Sequence, residues 1–157
     1  MNTLKTMMIA FLITPVLFSC SKSSSSNNSN NSTSNSMSAK VNGASWTAST
    51  IVFTADATQQ RSQITGSFIN NGTATAIALS LASVSPQVGT YNIDVNNTDN
   101  AVLYTNGAAS YFSETGVITI SSVTNGVLSG SFSGNCIDFS TMQSVSITNG
   151  SFNCKMQ

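Results

Sequence analysis

The sequence predicts an all-β domain, a single antiparallel β-sandwich of about eight to ten short strands, with a small closed β-barrel as the alternative. Three observations carry that prediction. Apolar and polar residues alternate with a period of two from residue 39 onward, no 3.6-residue apolar stripe competes with them, and Asn-Gly recurs at 42-43, 71-72, 106-107, 125-126 and 149-150. Alternation marks a strand with one buried face, and Asn-Gly readily takes the positive φ angles of two-residue hairpin turns.

The N-terminal part of the 157-residue chain is different in kind: Lys5 precedes an apolar run from Met7 to Phe18, which closes on Leu17-Phe18-Ser19-Cys20. About a dozen apolar residues make the hydrophobic region of an export signal, whereas a helix crossing a bilayer needs about 20. Residues 1–19 are therefore expected to be a cleaved signal peptide. The end of the run resembles a bacterial lipobox, with a branched apolar residue three before the cysteine and a small residue just before it. That resemblance implies acylation of Cys20, cleavage between Ser19 and Cys20, and a tether to the membrane. Ser21 in place of Asp implies the outer membrane, at its periplasmic face or at the cell surface. Several acyl chains, each stabilising attachment by about 0.8 kcal/mol per buried CH₂, make a lasting anchor. An ordinary secretory peptide cut nearby is the alternative, and it leaves Cys20 unmodified.

Residues 20–38 read as the lipidated cysteine and a linker, since Ser21 to Ser38 is Ser and Asn apart from Lys22, Thr33 and Met37. Such a segment has nothing to bury. Its 18 residues give a root-mean-square reach of about 25 Å and a contour limit of roughly 60 Å. The remaining residues, 39–157, suffice for one domain with a modest core.

Within that domain Ile64, Gly66 and Phe68 share a face, as do Ile77, Leu79 and Leu81, then Ile118 with Ile120, and Leu128, Gly130 and Phe132. Asn71-Gly72 and Asn125-Gly126 each sit between two such runs and read as hairpins. Lone Pro86 ahead of Val88-Gly89-Thr90-Tyr91 fits a strand start. At Asn149-Gly150 the apolar parity switches from Val145 and Ile147 to Phe152, which requires a turn or a β-bulge. Gly-Ser-Phe recurs at 66–68, 130–132 and 150–152. The spacings share no period, so the echo is read as core construction, with a phenyl ring filling the space beside a glycine.

Cys136 and Cys154 read as a disulfide in an oxidising compartment, closing a loop for about 3 kcal/mol in the chain-entropy model. The alternative is two buried thiols acting as small hydrophobes.

Three stretches taken together carry a family resemblance: Ala39-Lys40-Val41-Asn42-Gly43 with Trp46, Gly89-Thr90-Tyr91, and Gly116-Val117-Ile118-Thr119-Ile120 followed by two strands ending Gly130-Ser131-Phe132 and Gly150-Ser151-Phe152. The chain resembles the small uncharacterised lipoproteins of Bacteroidota, which join a lipobox, a Ser- or Asn-rich linker and a β-domain ending in a G-x-F strand. The resemblance covers most of residues 39–152. It implies the location and the fold and brings no catalytic residues with it.

Composition narrows the chemistry. The sequence holds no histidine, and charged residues make up 6% of it against a typical quarter. Imidazole catalysis and His-containing zinc sites are excluded. Four cations in a mature chain beginning at Cys20 make no nucleic-acid face. No phosphate-binding glycine loop occurs, and no cofactor or metal is expected. The remaining catalytic option is a pair among Asp56, Asp94, Asp99, Glu114 and Asp138 set about 5 to 10 Å apart, as in a small glycoside hydrolase. Asn92, Asp94, Asn96, Asn97, Asp99 and Asn100 crowd oxygen ligands into one stretch, but without the spacing of an EF-hand. They are read as a solvated turn.

Trp46 is expected in the core. Tyr104 and Tyr111 flank Asn106-Gly107 and are the exposed contact candidates. The resulting expectation is a lipid-anchored, non-catalytic envelope domain that binds an envelope protein or a glycan. A carboxylate hydrolase and a purely structural spacer are the alternatives.

Overall fold

The computed structural model describes residues 35–96 and 99–156. The expected signal peptide, Cys20 and linker residues 20–34 lie outside the described residues, as does Asn97. Ten strands follow one another: β1 (Ser36–Val41), β2 (Ala44–Thr47), β3 (Thr50–Asp56), β4 (Arg61–Asn70), β5 (Thr73–Leu81), β6 (Gly89–Asp94), β7 (Ala101–Asn106), β8 (Ala109–Thr124), β9 (Val127–Ile137) and β10 (Ser144–Lys155). Every pairing is antiparallel.

The all-β, antiparallel class and the strand number are as expected, and the strands form one curled sheet, a half-barrel, in the order β2-β1-β10-β9-β8-β7-β5-β4-β3. β6 pairs with the later half of β8, beside β7 on its earlier half. The two edges of the sheet, β2 and β3, are consecutive in the chain and separated by Ala48 and Ser49. Across that bend the Ala48 amide donates to Met37 O and the Ser49 amide to Ser67 O, both at 2.9 Å. A single bent segment thus ends both ladders and brings the edges together. Alternation specifies which side chains point inward but not which strands pair, so one curled sheet and two facing sheets share the same pattern.

Bulges supply the curl. Register slips between Ser113 and Thr115 and between Ile120 and Ser122 on β8, and between Ile147 and Gly150 on β10. An extra residue bends its strand and raises the local twist. The parity switch at Asn149-Gly150 is the bulge, with Asn149 at φ 52°. Asn42-Gly43, Asn71-Gly72 and Asn125-Gly126 have positive φ at both residues, as type I′ turns require. Asn106-Gly107 differs by one position. Asn106 pairs with Ala109 as the end of the strand, so Gly107 and Ala108 are the central residues, and positive φ at Gly107 alone makes this a type II′ turn.

The core is the inner face of the sheet: Ile64, Ile77, Leu79, Leu81, Val102, Ile118, Ile120, Leu128 and Ile147 are all buried. Met37 is buried as well, because β1 begins at Ser36. The β-domain therefore starts three residues before the expected boundary at residue 39. A single apolar residue in a Ser/Asn run had too little alternation around it to mark a strand.

The expected disulfide between Cys136 and Cys154 is not formed, and both are buried free thiols. Cys154 stands opposite Leu128 on β9, and Cys136 lies eight residues farther along that strand. At about 3.3 Å per residue that is roughly 26 Å, against roughly 6 Å between the Cα atoms of a disulfide. Burial pushes the Cys136 thiol up to about 12 and raises Cys154 as well. Both thiols are thereby neutral and unreactive. Non-reducing denaturant should expose two labelling-competent thiols, and the native domain should show none. The same shifts set an alkaline dependence. A group protonated more tightly when folded gives its full stabilisation below its unfolded value, 9.0 for Cys136, and loses it as pH rises toward the folded value. Thermal stability should fall between about pH 9 and pH 12, and Cys136→Ala should flatten that fall in a pH series of melting curves.

Candidate functional site

Because strands alternate in direction, the turns at Asn42-Gly43, Asn71-Gly72 and Gly107-Ala108 and the loop 138–143 meet at one rim of the sheet, called here the upper rim. The chain enters at the opposite, lower rim. There Asn35 Oδ1 accepts the Lys155 amide at 2.9 Å, and Lys155 pairs with Val127 beside the Asn125-Gly126 turn.

The upper rim holds an open depression of about 430 Å³. Its floor is aromatic, made by Trp46, Phe68 and Tyr104 with the Thr75 hydroxyl, and Asn70, Asn71 and Asn106 bring amides to its wall. No charged residue lines it. The floor is built by the close packing that curls the sheet. Trp46 comes from β2, its ring centroid lies 5.8 Å from that of Phe68 with the planes at 62°, and its Nε1–H donates to Thr75 Oγ1 at 3.1 Å. The Thr75 hydroxyl in turn donates to Phe68 O at 3.4 Å. At Gly66, next to this contact, a Cβ would stand 2.6 Å from Met37 Sδ and 3.1 Å from the Trp46 ring. Glycine is what admits the indole there.

Trp46 is in the core as expected. Tyr104 and Tyr111 pair directly across β7 and β8, with ring centroids 5.8 Å apart. Tyr104 is nonetheless buried rather than exposed, because it points to the inner face with Val102. Burial, and secondarily Tyr111, raises its phenol above the ordinary value. Of the pair, Tyr104 reaches the depression.

None of the five carboxylates lines the depression. Asp56, at the end of β3, accepts the Thr58 amide at 2.8 Å and the Gln59 amide at 3.1 Å, bracing its own turn. Asp94 Oδ1 accepts the Asn96 amide at 2.8 Å. Asn100 bridges two segments, donating to Asn92 O at 3.1 Å and accepting the Ala82 amide at 3.3 Å. These bonds use the oxygens of the Asn/Asp stretch as turn braces, and no cluster of three His, Cys, Asp or Glu side chains placed for a metal occurs among the described residues. Asp99 is exposed in this turn. Glu114 is the extra residue of a bulge on β8. Asp138 is buried and accepts from the Ser140 hydroxyl and amide and, at 3.4 Å, from the Thr141 amide. The Ser140 hydroxyl bond is foremost in holding its carboxyl below the ordinary range.

Alternation placed Phe68 on one face with Ile64 and Gly66 but marked neither it nor Thr75 as lining a site. Asn71 and Asn106 were legible as turn residues and Asn70 was not singled out, and the site role of all three depends on two separate hairpins converging at the rim.

Fold and site together define an antiparallel all-β domain with an uncharged, aromatic-floored depression at one rim. The chain belongs to the family described as Domain of unknown function (DUF6252), whose family model matches residues 33–154. No curated protein and no solved structure matches it.

Proposed function

We propose that this protein is a lipid-tethered, non-catalytic domain of the bacterial outer membrane that works by contact, taking a neutral glycan in the upper-rim depression. The observation that carries the reading is the lining: three aromatic rings, three asparagines and three Ser or Thr residues beside Val41 and Ala44, with no carboxylate, lysine or arginine. A sugar presents C–H faces that pack on aromatic rings and hydroxyls that exchange hydrogen bonds with amides, and it needs no countercharge. The volume lies within the roughly 300 to 1,000 Å³ of small-molecule sites. The tether rests on the resemblance of Leu17-Phe18-Ser19-Cys20 to a lipobox. Asn35 and the start of β1 lie at the lower rim, the end of the sheet opposite the depression.

Two measurements test it. Mass spectrometry of the protein from cells should find a mature N-terminus at an acylated Cys20, and an unmodified chain released into the medium overturns the tether. A glycan array should give neutral oligosaccharides as hits without shortening them. Turnover abolished by substituting one carboxylate would establish the hydrolase instead.

A further inference from the structure

A second surface lies on the outer face of the sheet. Ala78, Leu103, Phe112 and Ile137 stand in one row across β5, β7, β8 and β9, each directly opposite the next in register. Outward positions of a sheet facing water are ordinarily polar, and this row is apolar over four strands, with Phe112 exposed, Leu103 and Ile137 half-buried and Ala78 buried. It is extended by the loop 138–143. Phe139 stacks on Phe112 with centroids 6.2 Å apart, and Phe139 and Met142 are 60% and 70% exposed. The loop that projects them is fixed at its base: the Asp138 amide donates to Gln143 O at 2.9 Å, the Met142 amide donates to Asp138 O at 2.7 Å, and the Asp138 carboxylate accepts from Ser140 and Thr141. Met142 is held at φ 58°. An apolar pair on a braced loop beside an apolar row is a prepared contact surface rather than scattered exposure.

Charge selects the occupant. From Ser62 to Cys154, which includes all of β5, β7, β8 and β9, the chain has four carboxylates and neither Lys nor Arg. Glu114 is two residues from Phe112, and Asp94 on β6 pairs with Thr115 in the next outward row. A face whose own strands carry carboxylates and no cation, with the flanking Arg61 four residues along β4 from the Thr65 that pairs with Ala78, repels an anionic bilayer and a second copy of itself, and it complements cations. We infer that this face docks a partner protein segment whose apolar side chains are bordered by lysine or arginine. The inference is independent of the depression and of the tether.

The probes are two extended synthetic peptides of one length, each alternating Leu and Phe with a charged residue, Lys in one and Glu in the other, titrated into the full chain as isolated from cells. The Lys peptide should bind at least about tenfold more tightly than the Glu peptide, and its affinity should fall with added salt. The double variant F139S/M142S should weaken it by about tenfold, while leaving the melting temperature in place because both side chains are exposed. The Lys peptide should also slow peroxide oxidation of Met142. Equal affinity for the two peptides, or binding unchanged in the double variant, overturns the proposal. Protection of Met142 by phosphatidylglycerol vesicles alone overturns it in favour of a bilayer. Protection that grows with protein concentration alone overturns it in favour of self-association.

Discussion

Gly130→Ala and Gly150→Ala will each destabilise the domain by about 3 kcal/mol, at the upper end of what overpacking does. The reason is a reciprocal arrangement in β9 and β10. Phe132 stands opposite Gly150 and Phe152 opposite Gly130, with the two rings 6.4 Å apart. A Cβ at Gly150 would lie 2.5 Å from Phe132 O and 2.6 Å from the Phe132 ring. A Cβ at Gly130 would collide with Thr119 O and lie 2.7 Å from the Phe152 ring. A side chain can rotate away, but the carbonyls belong to the ladder and cannot move without breaking it. Against a total of about 5 to 15 kcal/mol for an ordinary domain, either change removes a large part. Gly126→Ala is the control. Open space surrounds that position and only its φ of 75° is unfavourable, so the loss should be about 1 kcal/mol. Urea unfolding of the three variants measures the difference, and equal effects would remove the steric account.

Trp46→Ala should cost about 3 to 5 kcal/mol, as for other buried aromatic deletions. β2 is four residues long and pairs with β1 alone, so beyond the Ala48-Ser49 bend its contact with β4 and β5 runs through this indole. The ring is 4% exposed, meets Phe68 edge-on and donates to Thr75. A loss of that size corresponds to a fall in melting temperature on the order of 10 °C. Trp46→Phe should keep most of the packing and lose the hydrogen bond for about 1 kcal/mol. A Trp46→Ala protein as stable as Trp46→Phe would mean that the sheet edges meet without the indole.

What could be read along the chain was local. Asn71-Gly72 and Asn125-Gly126 form their hairpins because the two positive φ angles belong to the dipeptide itself. Asn149-Gly150 announced its bulge because an extra residue must flip the parity of Phe152 relative to Ile147. In two of the three Gly-Ser-Phe echoes the ring fills the space over a glycine on the neighbouring strand, Phe132 over Gly150 and Phe152 over Gly130, whereas Phe68 pairs with Thr75 and Gly66 makes room for Met37 and Trp46. Illegible features were those set by pairing between distant segments. β6 is passed over when β5 pairs with β7, and nothing in Gly89 to Asp94 specifies β8 as its partner. The separation of Cys136 from Cys154 follows from the register of β9 against β10, which cysteine spacing does not contain. The depression needs Trp46, Phe68 and Tyr104 from three strands, and the outer apolar row needs four. Met37 was masked by its Ser and Asn neighbours.

The claim on which the functional account rests is that a neutral oligosaccharide occupies the upper-rim depression and leaves unaltered. Titration of the isotope-labelled full chain with an oligosaccharide identified on the array, followed by heteronuclear NMR, tests it most directly. The account predicts shifts at the Trp46 indole N–H and at the side-chain amides of Asn70, Asn71 and Asn106, with the sugar intact at the end. Shifts confined to Asp56, Asp94, Glu114 or Asp138, accompanied by a shortened sugar, would contradict it.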